Sequence, residues 1–316
     1  MSSITGRHLE NIDINSEGGV LVVSSNLTGH TWDGGLTYFT ADANLKEELA
    51  CSRLSKEMFV SLADGAWIDA THAVVATDNG SVDVLTLEDG QFVDPVEAIQ
   101  HHSFVTSVSV FADGTSCVSG SDDYYVCTAD VREGKLLRKY LAHGDTVNQV
   151  TAHNASPHML ASCSMDGTVL VWDSRNPKPA RKVSVSKDTA TSVCYHGNKL
   201  AVGTQRGELL IKDLRTSSHL PLKSVSNHSR PITRIKFSPS REDLLATCGE
   251  DGLVAVVNYN LLNTQAIYTD SSHTDFVTGL VWRSDNSLLS CSWDSSIHMH
   301  STDSSASNSP AVCNGY

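Results

Sequence analysis

A tight turn recurs along this chain at a nearly fixed spacing. In its most regular copy, LASCSMDGTVLVWDSRNPKP (Leu160 to Pro179), the turn residue is Gly167, and a His143-Gly144 pair precedes the segment. Gly80, Tyr124, Gly207, Gly252 and Ser295 hold the equivalent place elsewhere, and successive copies lie 40 to 45 residues apart. That period, with short apolar runs on either side of the turn, is the period of a four-stranded β-propeller blade. One such unit cannot bury both of its faces, so neighbours must stack and the stack must close into a ring. The repeat therefore assigns most polar residues to a structural part before it assigns any to chemistry.

The His-Gly pair and the Trp172-Asp173 pair of the regular copy are the signature of a WD40 repeat. The predicted fold is all-β, a seven-bladed WD40 propeller. One ring over residues 1–300 uses nearly all of the 316 residues, and the small, polar segment 301–316 reads as a disordered tail. Blade one is expected from about Leu9 to Ser55 and blade two from Lys56 to Ile99. The remaining blades open at His101-His102, at His143, ahead of LAVGTQRGELLIKDL (Leu200 to Leu214), at His228 and at His273. Blade five has the weakest pattern, because Arg206 replaces the turn aspartate and Lys212 the strand tryptophan. In each blade the inner three strands are expected to alternate apolar and polar residues. The stretch before Asn11, or alternatively part of the tail, is expected to donate the outermost strand of blade seven, since an open edge would invite pairing with other chains.

With 23 Lys and Arg against 36 Asp and Glu, the net charge is −13. This opposes direct nucleic-acid binding, which rests on clustered cations at the phosphates, and favours basic partners. No segment has the length of a signal peptide core or a membrane span, so a soluble protein of the cytoplasm and nucleus is expected, without membrane contact. The eight cysteines are spread about one per repeat with no zinc-knuckle spacing. They read as small reduced core residues rather than as ligands or disulfides.

Several residues invite a catalytic reading. His143, Ser162, Asp166 and Trp172 share blade four, while His102, Ser119 and Asp123 recur in blade three and His228, Thr247 and Asp251 in blade six. A nucleophile, base and orienting acid need one unique cluster beside an oxyanion hole. A trio that recurs from repeat to repeat is better explained as a buried hydrogen-bond tetrad that fixes the turn. The His101-His102 and His298/His300 pairs offer metal ligands only if the blades do not claim them. No phosphate-cradling glycine loop is present. Neither an enzyme nor a cofactor or metal site is expected.

The informative irregularity lies in blade one. NLTGHTWDGGLTYF (Asn26 to Phe39) places Trp32 in a glycine-rich turn, flanked by His30 and Asp33. From pattern alone Trp32 either packs back into its blade or stands out as an anchor for a partner's pocket. This segment, the DSRNPKPA run (Asp173 to Ala180) and SHTDFVTGLVW (Ser272 to Trp282) resemble the methylosome protein 50 family, and the resemblance covers all seven blades in order. It implies a noncatalytic scaffold of protein arginine methyltransferase 5, assembled as a hetero-octamer of four copies each, which helps present basic substrates such as histone and spliceosomal Sm tails. It further implies that Trp32 enters a pocket on the enzyme's N-terminal barrel, that His30 and Asp33 beside it belong to the same partner-binding set, and that Tyr268 also faces the enzyme. The alternative function is a WD-repeat adaptor of another complex, such as a ubiquitin-ligase substrate receptor or a ribosome-assembly factor.

Overall fold

The computed structural model describes residues 4 to 302 apart from 5, 29–30, 46–53, 94, 180, 185–187, 217–222, 262–265 and 284–285. The expected tail beyond 302 and His30 lie outside the described residues. Strands follow one another in antiparallel meanders that make seven blades. Blade one comprises His8–Ile14, Val20–Thr28, Thr31–Phe39 and Lys56–Met58, and blade four Val147–Ala152, Met159–Ser164, Thr168–Asp173 and Arg181–Ser184. Blade five, for all its weak sequence pattern, has four strands, and Lys212 pairs opposite Leu200 where blade four pairs Trp172 opposite Leu160.

The strands do not alternate as expected. Each second strand is apolar or small along nearly its whole length, as in Met159–Ser164 and Leu244–Gly249, and is buried on both faces. Stacked blades cover a strand from both sides, so such a strand reads as a continuous apolar run. The core is thus a set of slabs between neighbouring blades. Val74, Val82 and Ile99 of blade two, for example, pack on Val105, Val108 and Cys117 of blade three.

The repeat turns carry a backbone requirement. Gly80, Gly167, Gly207 and Gly252 have φ between 74° and 91°, and Tyr124 and Ser295 reach 70° and 65° in the same place. Left-handed backbone suits glycine and strains a residue with a Cβ.

A second repeated element surrounds the axis. The first strand of every blade shifts register by one residue, a β-bulge at Glu10, Ala63, Thr106, Asn148, Thr191, Thr233 and Thr278. Bulge side chains latch each blade to the next. Thr106 donates to the Val147 carbonyl, Asn148 to Ala190, Thr191 to Ile232 and Thr233 to Val277. Thr278 donates to Leu9, so the last seam is closed by the same bond as the others.

Among the described residues, none before Asn11 forms an outer strand of blade seven, and His8–Ile14 is instead the innermost strand of blade one, paired with Val20–Thr28. Blade seven has three strands among the described residues. The described residues join the first and last blades by side-chain bonds and by Ile4, Leu9 and Ile12 packing on Val281, Leu289 and Ile297.

Glu10 and Ala63 cannot donate such a latch, so blade two lacks it on both sides. Asp64, 1% exposed, takes over there. Its carboxylate accepts from Asn11 Nδ2 of blade one at 2.6 Å and from Ser107 Oγ and Val108 N of blade three at 2.9 and 3.1 Å. It also accepts two bonds from Arg234 of blade six, at 2.8 and 3.2 Å. Arg234 Nε in turn donates to the Thr278 carbonyl at 3.1 Å. This brace runs across the axis and plugs the channel.

Candidate functional site

Two sets of residues are candidates for function, the repeated polar knots and the blade-one hairpin. In blade four, His143 Nδ1 lies 3.2 Å from Asp166 Oδ2, its Nε2 lies 2.8 Å from Ser162 Oγ, and Trp172 Nε1 donates to the same Oγ at 3.0 Å. The Asp166 carboxylate only accepts, so His143 carries its proton on Nδ1 towards it, and in the neutral ring Nε2 then accepts the serine proton while the indole N–H uses one of the serine's lone pairs. Burial lowers the His143 pKa, with Asp166 pulling the other way, which keeps the ring neutral. Burial alone would raise the Asp166 carboxyl, but bonds from Thr168 and the Gly144 and Thr168 amides hold it below its usual range.

The connectivity is that of a catalytic triad, and its setting removes the chemistry. Ser119, Ser162, Thr247 and Ser290, the hydroxyls of four such knots, are at most 1% exposed. No substrate carbonyl can reach them, and in blade four a lone pair of the oxygen is already taken by Trp172.

The knots also correct the reading of blade three. His101, not His102, makes the contacts, at 3.1 Å to Asp123 and 2.8 Å to Ser119. His102 is exposed and contributes its backbone amide to Asp123. In blade six His228 meets Asp251 at 3.0 Å and Thr247 at 2.8 Å. Blade seven has a knot that the sequence reading missed. His273 bonds Asp294 and Ser290, and His300 Nε2 meets Ser290 Oγ at 2.8 Å. His300 pairs opposite Leu288, the place Trp172 occupies opposite Leu160. An imidazole N–H replaces the indole N–H, so His300 belongs to a knot, and His298 stacks on His273 at 4.1 Å.

Trp32 is not in the turn proper. It lies in the third strand of blade one, paired with Leu27, in a hairpin that continues past the rest of the blade. Both side chains are exposed, Trp32 at 44% and Leu27 at 53%. Beneath them Arg7, itself buried, donates to the Asp33 carboxylate and, at 3.2 Å, to the Asp33 carbonyl. Asp33 therefore braces the base of the hairpin. The His8 ring lies 6.2 Å from Trp32 and stacks on Trp293 at 4.6 Å, and Phe276 follows at 5.2 Å with the Arg230 guanidinium over it. Trp32, His8, Trp293 and Phe276 thus form one aromatic strip across the seam between blades one and seven.

Sequence reasoning missed His8, Trp293 and Phe276, which lie far from Trp32 along the chain. One available signal was that Trp293 fills a turn position occupied by Met165 in the regular copy. Tyr268 is not part of the strip. It sits half-buried in the outer strand of blade six, its hydroxyl 3.0 Å from His300 Nδ1 and 3.4 Å from Asp270.

The propeller family described as nucleolar protein 10-like, N-terminal domain, matches residues 68–296. Methylosome protein WDR77 of Xenopus laevis is 30% identical over 293 residues, 90% of this chain and 86% of that protein. WD repeat-containing protein GTS1 of Arabidopsis thaliana is 32% identical over 46% of this chain and 37% of its own length. Histone acetyltransferase type B subunit 2 of Candida glabrata is 27% identical over 43% of this chain and 34% of its own length.

Proposed function

Because this chain belongs to the family of methylosome protein WDR77, within the propellers described as nucleolar protein 10-like, we propose that it is the scaffold subunit of a methylosome. It is a non-catalytic WD-repeat propeller, a fold that works by holding other proteins. The enzyme it holds is protein arginine methyltransferase 5, in an assembly of four copies of each chain. Its basic substrates are of the histone-tail and Sm-tail kind, and it acts in cytoplasm and nucleus.

One observation carries this reading. The hairpin of blade one projects an exposed indole from a base fixed by the buried Arg7 and its half-buried partner Asp33, with an aromatic strip beside it. A rigid, pre-positioned Trp delivers a large apolar area with little entropy lost on docking, as expected of an interface anchor. The excess of thirteen negative charges complements Arg- and Lys-rich substrates.

The test is reconstitution. Mixed with recombinant methyltransferase, the chain should co-elute in size-exclusion chromatography with a light-scattering mass of four plus four subunits. Separate elution at micromolar concentrations, or stable capture of ligase adaptors in its place, would reject the assignment.

A further inference from the structure

The seven bulge residues, Glu10, Ala63, Thr106, Asn148, Thr191, Thr233 and Thr278, all line one cavity of about 340 Å³ at the mouth of the central channel. Its floor is Arg234, held by Asp64, so the channel is a closed cup. Met165, Gln205 and Glu250 contribute to its wall. Each begins the turn between the second and third strands of its blade, the place Trp293 holds in blade seven. The cup therefore opens on the face that carries the aromatic strip and the Trp32 hairpin.

A threonine hydroxyl has one proton and two lone pairs. Thr106, Thr191, Thr233 and Thr278 have each spent the proton on a neighbouring carbonyl, and Asn148 has spent an amide proton in the same way. What these residues have left is mainly acceptor capacity. Glu10, whose carboxylate accepts from Ser25 and Trp293, and Glu250 add carboxylate oxygens. The floor guanidinium is neutralised by Asp64. Gln149, Thr189 and Gln205 add donor groups to the wall, but the ring of acceptors with its two carboxylates suits a ligand that brings many donors and positive charge. Its volume, at the low end for ligand sites, suits a single side chain better than a cofactor.

We propose that the channel mouth binds the cationic side chain of an arginine or lysine from an extended peptide. This deepens the substrate half of the proposed function by naming the surface that receives a basic tail, and its test uses this chain alone. Loss of the methyltransferase assignment would leave it standing. Arg230 reaches Glu250 at 3.3 Å and competes with an incoming cation for that carboxylate.

The probe is a fluorescein-labelled Gly-Ser peptide with one central arginine, followed by anisotropy, beside the same peptide with lysine or with uncharged citrulline. Arginine and lysine peptides should bind, and citrulline should lose most of the affinity. E250Q should weaken binding by about 3- to 10-fold, the size of one charge-assisted hydrogen bond, and R230A should tighten it. E133Q makes the same change in net charge on the outer edge of blade three, between Tyr125–Asp130 and Lys135–Leu141, and should leave binding unchanged. A photo-crosslinker beside the arginine should label Met165 at the lip. Equal binding of the citrulline peptide, equal weakening by E133Q and E250Q, or labelling confined to residues away from the mouth would each overturn the proposal.

Discussion

Removing the Asp64 carboxylate should be among the most damaging single changes in the ring. In Asp64→Ala the largely buried Arg234 guanidinium loses its counter-ion, and Asn11 Nδ2, Ser107 Oγ and the Val108 amide lose an acceptor. Breaking a buried ion pair from one side costs about 3–5 kcal/mol. Arg234→Met should cost less, because Asp64 would keep those neutral donors, and donors of this kind support a carboxylate. In the double variant no charge is stranded. Its loss should fall short of the sum of the single losses by roughly 1–3 kcal/mol, the range of coupling between contacting groups. Equilibrium urea unfolding followed by the fluorescence of the five tryptophans measures all three. Additivity within about 0.5 kcal/mol, or a loss below about 1 kcal/mol for Asp64→Ala, would refute the view that this pair braces blade two across the axis.

Other expectations follow from the turns and knots. Tyr124 holds a left-handed position that its counterparts fill mostly with glycine, so Tyr124→Gly should raise stability by about 0.5–1 kcal/mol in the same assay, and destabilisation would contradict the strain argument. Asp166→Ala leaves the buried His143 Nδ1 with only Thr168 Oγ1 at 3.2 Å and gives the exposed Gly144 and Thr168 amides over to water, and should cost about 1–2 kcal/mol; an unchanged melting temperature would show that the knot is dispensable. His143 and His273 have pKa values lowered mainly by burial, against the pull of Asp166 and Asp294. The unfolded chain therefore takes up protons first as pH falls, and stability should decline from about pH 6.5, the unfolded value of histidine, towards the lower folded values. Asp166, Asp251 and Asp294 have pKa values lowered by their bonds despite burial, so a second decline should follow below about pH 4. A stability profile that is flat from pH 7 to 5, or that rises on acidification, would contradict the assignment of neutral buried histidines.

The ring was legible because its determinants repeat. Gly80, Tyr124, Gly167, Gly207, Gly252 and Ser295 mark turns whose backbone is left-handed at every one of them. The choice between His101 and His102 was not legible, since adjacent residues differ only in which one faces inward, and that depends on the register of the following strand. The channel was illegible for a different reason. Asn11, Asp64, Ser107, Gln149, Ser192, Arg234 and Gly279 occupy one equivalent place after the bulge in seven blades but have no residue type common to all. A brace between blades two and six therefore leaves no periodic trace. Trp32 stood out as an irregularity, whereas the strip that continues it comes together only when the first and last blades meet.

The affinity of the methyltransferase for the Trp32→Ala variant bears most directly on the central claim, that this propeller works by presenting an anchored indole to an enzyme partner. Measured by calorimetry against the wild-type chain, with urea unfolding as a control for the fold, the substitution should cost at least about 2 kcal/mol of binding, roughly thirtyfold in Kd, and leave stability within about 0.5 kcal/mol. Binding retained at wild-type strength by a folded Trp32→Ala chain would contradict the claim.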